Sequence, residues 1–264
     1  MRDLLPCCRV PTPREAMEQG KEGRVQSSQR VCFLIMKIGG LQKVSLIDYP
    51  GRVCAIIFTQ GCNFCCPYCH NPELVDPQRF GPVFSEKEVL SFLEKRIGKL
   101  DAVSITGGEP TIQHDIEAFI KALKEMGYFV KLDTNGSFPD VVEKLTRKNL
   151  VDFLAMDVKG PLEKYSRIAG VDVNIQDIQR SLSLIIGSGI EHEFKTTVVR
   201  SMLDLGDLLS IAKLLKNAKI YVLQRFVPVK TLDDDFLDEK TYTPEEFSIF
   251  KKEIEKDGLH VIIR

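Results

Sequence analysis

The chain has 264 residues, 44% hydrophobic and 28% charged, which is length enough for a large core and the composition of an ordinary soluble globule. Its formal net charge of -1 argues against a nucleic-acid or anionic-membrane surface, so neither is expected as a partner. No apolar run approaches the ~20 residues that span a bilayer, and Val31 to Met36 is too short for a signal-peptide core, so a cytoplasmic location is the expectation.

Residues 1–35 mix Pro6, Pro11, Pro13, Gly20, Gly23 and Ser27 with scattered charges and no periodicity, which predicts a disordered extension. Cys7 and Cys8 fall in it and read as idle thiols. From residue 36 to 264 the pattern is that of one core domain. Short β-branched runs over residues 53–59, 102–106, 129–133, 153–157, 193–199 and 220–226 predict strands. Ser85 and Glu88 form a capping-box signature, and helical periodicity follows through Val89, Leu90, Phe92, Leu93 and Ile97. Further helices are predicted over about 113–126, 138–148, 174–187, 206–216 and 244–257. Six β–α units with nearly continuous apolar strands give an α/β protein whose parallel sheet is covered by helices. That pattern suits either a doubly wound sheet or a partly closed barrel, and both place the active site at the C-terminal strand ends.

The unusual polar segments fall at those ends. A cysteine-rich loop follows the first predicted strand, Gly107-Gly108-Glu109-Pro110 the second, Thr134-Asn135-Gly136 the third and Val158-Lys159-Gly160 the fourth. Four strand ends converging in this way predict one shared pocket.

The loop Cys62-Asn-Phe-Cys65-Cys66-Pro-Tyr-Cys69 carries four of the eight cysteines, with no secretory signal, which favours a metal site in a reducing compartment over disulfides. Zinc held by two Cys-x2-Cys knuckles would need connecting chain to wrap the ion, and these pairs abut at Cys65-Cys66. The other choice is Cys62, Cys66 and Cys69, at Cys-x3-Cys-x2-Cys spacing. These can present three thiolates to a [4Fe–4S] cluster and leave one iron open to an outside ligand. Cys65 then reads as a bystander and Cys54 as a small core hydrophobe. Tyr68 could pack only, or flank an adenine ring.

Cys-x3-Cys-x2-Cys after the first strand, with Gly107-Gly108-Glu109-Pro110 after the second, resembles the radical S-adenosylmethionine superfamily. Cys66-Pro-Tyr-Cys69-His-Asn-Pro-Glu73, Asp133-Thr-Asn-Gly136 and Met156-Asp157-Val-Lys159 are similar to glycyl-radical-enzyme activases. The opening Met36 to Gly51 most resembles the anaerobic ribonucleoside-triphosphate reductase activating proteins. The resemblance covers about residues 36–264.

The resemblance implies a partial (β/α)6 TIM-type barrel. It implies a [4Fe–4S] cluster on Cys62, Cys66 and Cys69 whose open iron is chelated by S-adenosylmethionine, with Tyr68 beside the nucleotide. Gly107, Gly108 and Glu109 match the segment that receives the methionine amino group. Asp133, Thr134, Met156 and Asp157 match a monovalent-cation site beside the methionine carboxylate, and Lys159 a lysine near the cofactor. On the residues alone, Asp133 as a turn cap, Asp157 as a solvated strand end and Lys159 as a solvated side chain stay open.

The implied partners are a glycyl-radical enzyme, which gives up a glycine Cα hydrogen, and a flavodoxin or ferredoxin-type electron donor. Two departures from the family matter. Asp48-Tyr49-Pro50-Gly51 stands where pyruvate formate-lyase activases carry Asp-Gly-Pro-Gly, so Tyr49 is expected near the substrate-peptide path. No cysteine-rich insert follows Cys69, which argues against auxiliary clusters. His70, His114, His192 and His260 read as structural, and whether Gln224 or Arg225 faces the pocket is open. Two rival functions remain: a radical enzyme acting on a small molecule, in the manner of 7-carboxy-7-deazaguanine synthases, and a non-catalytic iron–sulfur or zinc module.

Overall fold

The computed structural model describes residues 36–264, so the extension predicted over 1–35, with Cys7 and Cys8, lies outside the described residues. The strands β1 (Ile38–Ser45), β2 (Cys54–Thr59), β3 (Ala102–Gly107), β4 (Phe129–Thr134), β5 (Phe153–Asp157), β6 (Glu191–Val198), β7 (Tyr221–Arg225) and β8 (Val261–Ile263) lie side by side in chain order. β1 pairs antiparallel with β2, and every later pair is parallel.

That order decides between the two architectures. A doubly wound sheet reverses its strand order at a switch point. Here each crossover steps the same way, so right-handed connections put all the helices on one face and the sheet curls around the other. The result is the expected partial (β/α)6 barrel, six β–α units running from β2 to β7. β1 and β8 add to the six strands predicted. β1 breaks its register twice and carries Gly39 and Gly40, and β8 is three residues long. Neither presents a regular alternation to read.

The helices that matter for the site are α1 (Pro72–Val75), α2 (Glu86–Glu94), α3 (Ile116–Glu125), α4 (Pro139–Arg147), α5 (Tyr165–Ala169), α6 (Ile175–Gly187), α7 (Leu205–Leu214) and α8 (Pro244–Glu255). α2 opens with the predicted box, Ser85 accepting from the Glu88 amide while Glu88 reaches back. α3 buries Ile116, Phe119, Ile120 and Leu123 at helical spacing. Truncating a ring such as Phe119 in that layer costs about 3–5 kcal/mol. Among the described residues no helix is long and apolar enough to cross a membrane.

Alternation along the strands separates two environments. On β4, Val130 and Leu132 join the large core under the helices, while Lys131 and Asp133 take the other face. At the N-terminal strand ends a second apolar cluster, Tyr49, Cys54, Ile56, Ala102, Phe153 and Ala155, floors the barrel. The Tyr49 and Phe153 rings lie 5.7 Å apart. Tyr49, expected near a substrate path, is therefore at the opposite end from the C-terminal strand ends. Because β1 runs antiparallel, the chain after it turns under the barrel rather than over its mouth.

Candidate active site

A cavity of about 210 Å³ opens at the C-terminal strand ends, lined by the cysteine loop, the Gly107–Glu109 segment and the ends of β4 to β7. The loop is tied down from several sides. Gly61 N–H donates to Leu74 O at 2.7 Å, Cys65 N–H to Ala169 O at 2.8 Å, and Asp233 N–H to Pro67 O at 2.9 Å. His70 Nε2 donates to the Val227 carbonyl at 2.7 Å, and the ring also lines the cavity. Backbone anchored in this way presents Cys62, Cys66 and Cys69 to the cavity as free thiols. Cys65 is buried but is not among the lining residues, and Cys54 sits in the barrel floor.

Burial pushes all three lining thiols up: Cys62 well above the ordinary range, Cys66 to about 11 although Lys159 opposes the shift, and Cys69 to a lesser degree. Buried neutral thiols are poor nucleophiles. A cationic metal group beside them would compensate the charge of their thiolates.

Gly107 and Gly108 let two backbones meet. At Gly107 φ is +114°, and a Cβ would stand 2.4 Å from the Thr59 nitrogen; at Gly108 it would stand 2.0 Å from the Gly61 oxygen. Glu109 N–H then donates to that Gly61 carbonyl at 2.8 Å, locking this segment to the start of the cysteine loop. The Glu109 carboxylate, 1% exposed, accepts from Thr111 N–H (3.0 Å), Thr111 Oγ1 (2.5 Å), Thr134 Oγ1 (2.8 Å) and Asn135 N–H (2.6 Å). Burial raises its pKa, and those donors pull against the rise. They fix a carboxylate that lines the cavity, suited to an incoming ammonium.

Beside it lies a charge group of which the sequence pointed to Asp133, Asp157 and Lys159 but not to Lys131 or Lys195. Lys131 Nζ is 2.6 Å from Asp133, Lys195 Nζ is 3.1 Å from Asp133 and 3.5 Å from Asp157, and Lys159 Nζ is 3.4 Å from Asp157. Burial alone would raise both carboxyls, but Lys131 and Lys195 hold Asp133 well below the usual range, and Lys159 and Lys195 hold Asp157 down. Burial would likewise lower Lys195, and the two aspartates outweigh it and raise its pKa. Asp133, Asp157, Lys159 and Thr134 all line the cavity, and both aspartates are paired with lysines. Asn135, from the predicted strand-end segment, joins them, as do Lys195 and Thr197, which were not predicted.

Tyr68 also lines the cavity; it is 4% exposed, and its hydroxyl has no hydrogen-bond partner. Gln224 faces the cavity, whereas Arg225 does not line it. The Met156 side chain packs in the core against Gly136 and is not a lining residue, leaving only its main chain for a site role. His192 is spent on structure, one nitrogen on Ile190 O (2.8 Å) and the other accepting from Lys219 N–H (3.3 Å).

The sequence matches the family described as the Radical SAM superfamily over residues 56–215. It is 34% identical over 204 residues to a provisionally named glycyl-radical enzyme activating enzyme of Methanocaldococcus jannaschii, covering 75% of this chain and 83% of the relative. The chain belongs to the radical SAM superfamily. It is also 34% identical over 110 residues to a 7-carboxy-7-deazaguanine synthase of Methanothermobacter thermautotrophicus, an alignment that spans 41% of this chain and 42% of that one. Among solved structures, Streptococcus suis SuiB bound to S-adenosylmethionine superposes with a TM-score of 0.62 at 14% identity, over 79% of this chain and 51% of that one. SuiB bound to its precursor peptide SuiA gives 0.63 at the same identity, over 79% of this chain and 48% of SuiB. These likenesses show the shared barrel.

Membership of a radical SAM superfamily implies an iron–sulfur cluster and S-adenosylmethionine, and the residues present fit them. Among the described residues no three His, Cys, Asp or Glu side chains gather as a single-ion site requires. The three thiols instead border an open cavity, as a larger cluster needs. Beside them lie an unpartnered buried hydroxyl and a buried carboxylate, polar groups for a ligand to meet.

Proposed function

We propose that this chain is a radical SAM activase that prepares a glycyl-radical enzyme, with anaerobic ribonucleotide reductase as the first candidate partner. One observation carries the reading: Cys62, Cys66, Cys69, Tyr68 and Glu109 line a single cavity at the C-terminal strand ends. The similarity to an activating enzyme over most of both chains supports the partner class.

In this reading Cys62, Cys66 and Cys69 hold a [4Fe–4S] cluster, and Glu109 with the Gly107–Gly108 backbone receives the methionine ammonium. Tyr68 lies against the nucleotide. The bound cluster and S-adenosylmethionine supply one-electron cleavage of a sulfonium, giving a carbon radical that abstracts hydrogen. The chain's part is to orient the nucleotide and exclude water, because a radical of that reactivity attacks whatever it meets. No general base is assigned, since hydrogen-atom transfer moves no separate proton. Gln224 and Thr197 line the cavity on its β6–β7 side, polar groups available to a substrate. A flavodoxin or ferredoxin-type protein would supply the electron.

The test is anaerobic incubation of the reconstituted chain, S-adenosylmethionine and a reductant with candidate glycyl-radical enzymes, read by electron-spin resonance. A backbone glycyl doublet in the partner is the expected outcome. The similarity to a 7-carboxy-7-deazaguanine synthase favours a second reading, a small-molecule substrate. Cleavage stimulated only by a small metabolite, with no glycyl signal, would select it.

A further inference from the structure

The Asp133–Asp157 pair poses an electrostatic problem. Two carboxylates line a cavity that, under the function proposed above, must accept the carboxylate of a methionine moiety. Such a site needs a cation between the acids and the incoming anion. Family resemblance would put a free monovalent ion there, but each of these carboxylate oxygens already faces a lysine ammonium, so an ion would have to share all four with fixed positive charge. Asp133 Oδ1 faces Lys131 at 2.6 Å and Oδ2 faces Lys195 at 3.1 Å. Asp157 Oδ1 faces Lys195 at 3.5 Å and Oδ2 faces Lys159 at 3.4 Å. A hard cation binds by collecting several such oxygens, and here each already meets an ammonium.

Lys195 is the member placed between the two acids. It lines the cavity, and its side chain is only 10% exposed. Its other close acid, Glu193, is occupied elsewhere, by the Arg264 guanidinium at 2.7 Å. An ammonium carries three donors. One hydrogen bond goes to Asp133, and the contact to Asp157 is longer. A donor therefore remains for a ligand at the cavity wall.

We propose that the Lys195 ammonium is the fixed counter-cation of this site, bridging Asp133 and Asp157 and receiving the methionine carboxylate in place of a free monovalent ion. β6 supplies it because Glu193, Lys195 and Thr197 share one face of the strand, so the charge is built into the barrel wall and needs no ion from solution.

The test is equilibrium dialysis of radiolabelled S-adenosylmethionine against the reconstituted full chain. Chloride salts of tetramethylammonium, lithium, sodium and potassium are compared at equal ionic strength. The wild type is expected to bind within about 2-fold in all four, and Lys195→Arg likewise. Lys195→Met should bind about 10–100-fold more weakly in tetramethylammonium, the loss of one charge-assisted hydrogen bond, and should recover in sodium or potassium as a free ion enters. Wild-type affinity that rises about 10-fold with sodium or potassium over tetramethylammonium overturns the inference, whatever the variants do. So does Lys195→Met binding like wild type in tetramethylammonium. Absence of binding by the wild type in every salt removes the functional reading and this inference together, whereas cation-dependent binding removes this inference alone.

Discussion

Replacing Glu109 by glutamine changes one atom's identity and tests the best-defined hydrogen-bond group in the cavity. Oε1 accepts from Thr111 N–H, Thr111 Oγ1 and Thr134 Oγ1, and Oε2 accepts from Asn135 N–H at 2.6 Å. An amide offers one acceptor oxygen and one NH2 group. With its oxygen at the Oε1 position, the NH2 faces the Asn135 N–H, donor against donor. Flipped, it faces the Thr111 N–H, and although the threonine hydroxyls can rotate to accept, that amide cannot. Either way one buried backbone N–H loses its acceptor, at about 1–3 kcal/mol.

For a chain of this size that corresponds to a fall of ~2–12 °C in Tm. Glu109→Ala strands both amides and should cost about twice as much. Anaerobic differential scanning fluorimetry reads the first effect, and dialysis of S-adenosylmethionine reads the second. Loss of a charge-assisted contact to the methionine ammonium should weaken binding about 10–100-fold. A Glu109→Gln variant with wild-type Tm and wild-type affinity would refute both the hydrogen-bond assignment and the ammonium role.

Three other outcomes follow from the same geometry. Cys62→Ala, Cys66→Ala and Cys69→Ala should each lose most of the reconstituted iron, while Cys65→Ala, off the cavity lining, should keep it; iron and sulfide analysis decides. Gly108→Ala places a methyl 2.0 Å from the Gly61 oxygen and must push the cysteine loop outward, costing about 1–3 kcal/mol and lowering iron yield with little change in circular dichroism. Asp133 has its pKa depressed, so its stabilising contribution is present above the unfolded value near 3.8 and is lost as pH falls through the folded value. The stability gap between wild type and Asp133→Asn, from urea midpoints, should thus shrink below about pH 3.8, and a gap unchanged down to pH 3 would contradict the pairing.

The cysteine loop was legible in the sequence because its chemistry is local: ligand spacing and strand-end position both sit within a few residues. The strands of the parallel sheet were legible because apolar runs such as residues 153–156 are buried on both faces. Strand order was not, because periodicity reports which face is buried and says nothing about which strand lies next door. The pairing of Lys131 and Lys195 with the two aspartates was hidden for a related reason. On β4, Lys131 and Asp133 alternate with Val130 and Leu132, which reads as a strand with one solvated face. In a curled sheet that face is the barrel interior, and Lys195 reaches it from a strand more than sixty residues away. The signal available was the same period of two on β6, at Glu193, Lys195 and Thr197. The place of Tyr49 in the barrel floor was not legible either, because a motif alignment fixes its neighbours in sequence and not the direction in which β1 runs.

The most direct test of the central claim is Mössbauer spectroscopy of the iron-57-reconstituted chain, handled without air, before and after S-adenosylmethionine is added. Three cysteine-held irons and one open iron predict that a single iron site of a [4Fe–4S] cluster changes its spectrum on addition while the others keep theirs. A cluster whose irons are all indifferent to the nucleotide, or a protein that takes up zinc and no iron, would contradict it.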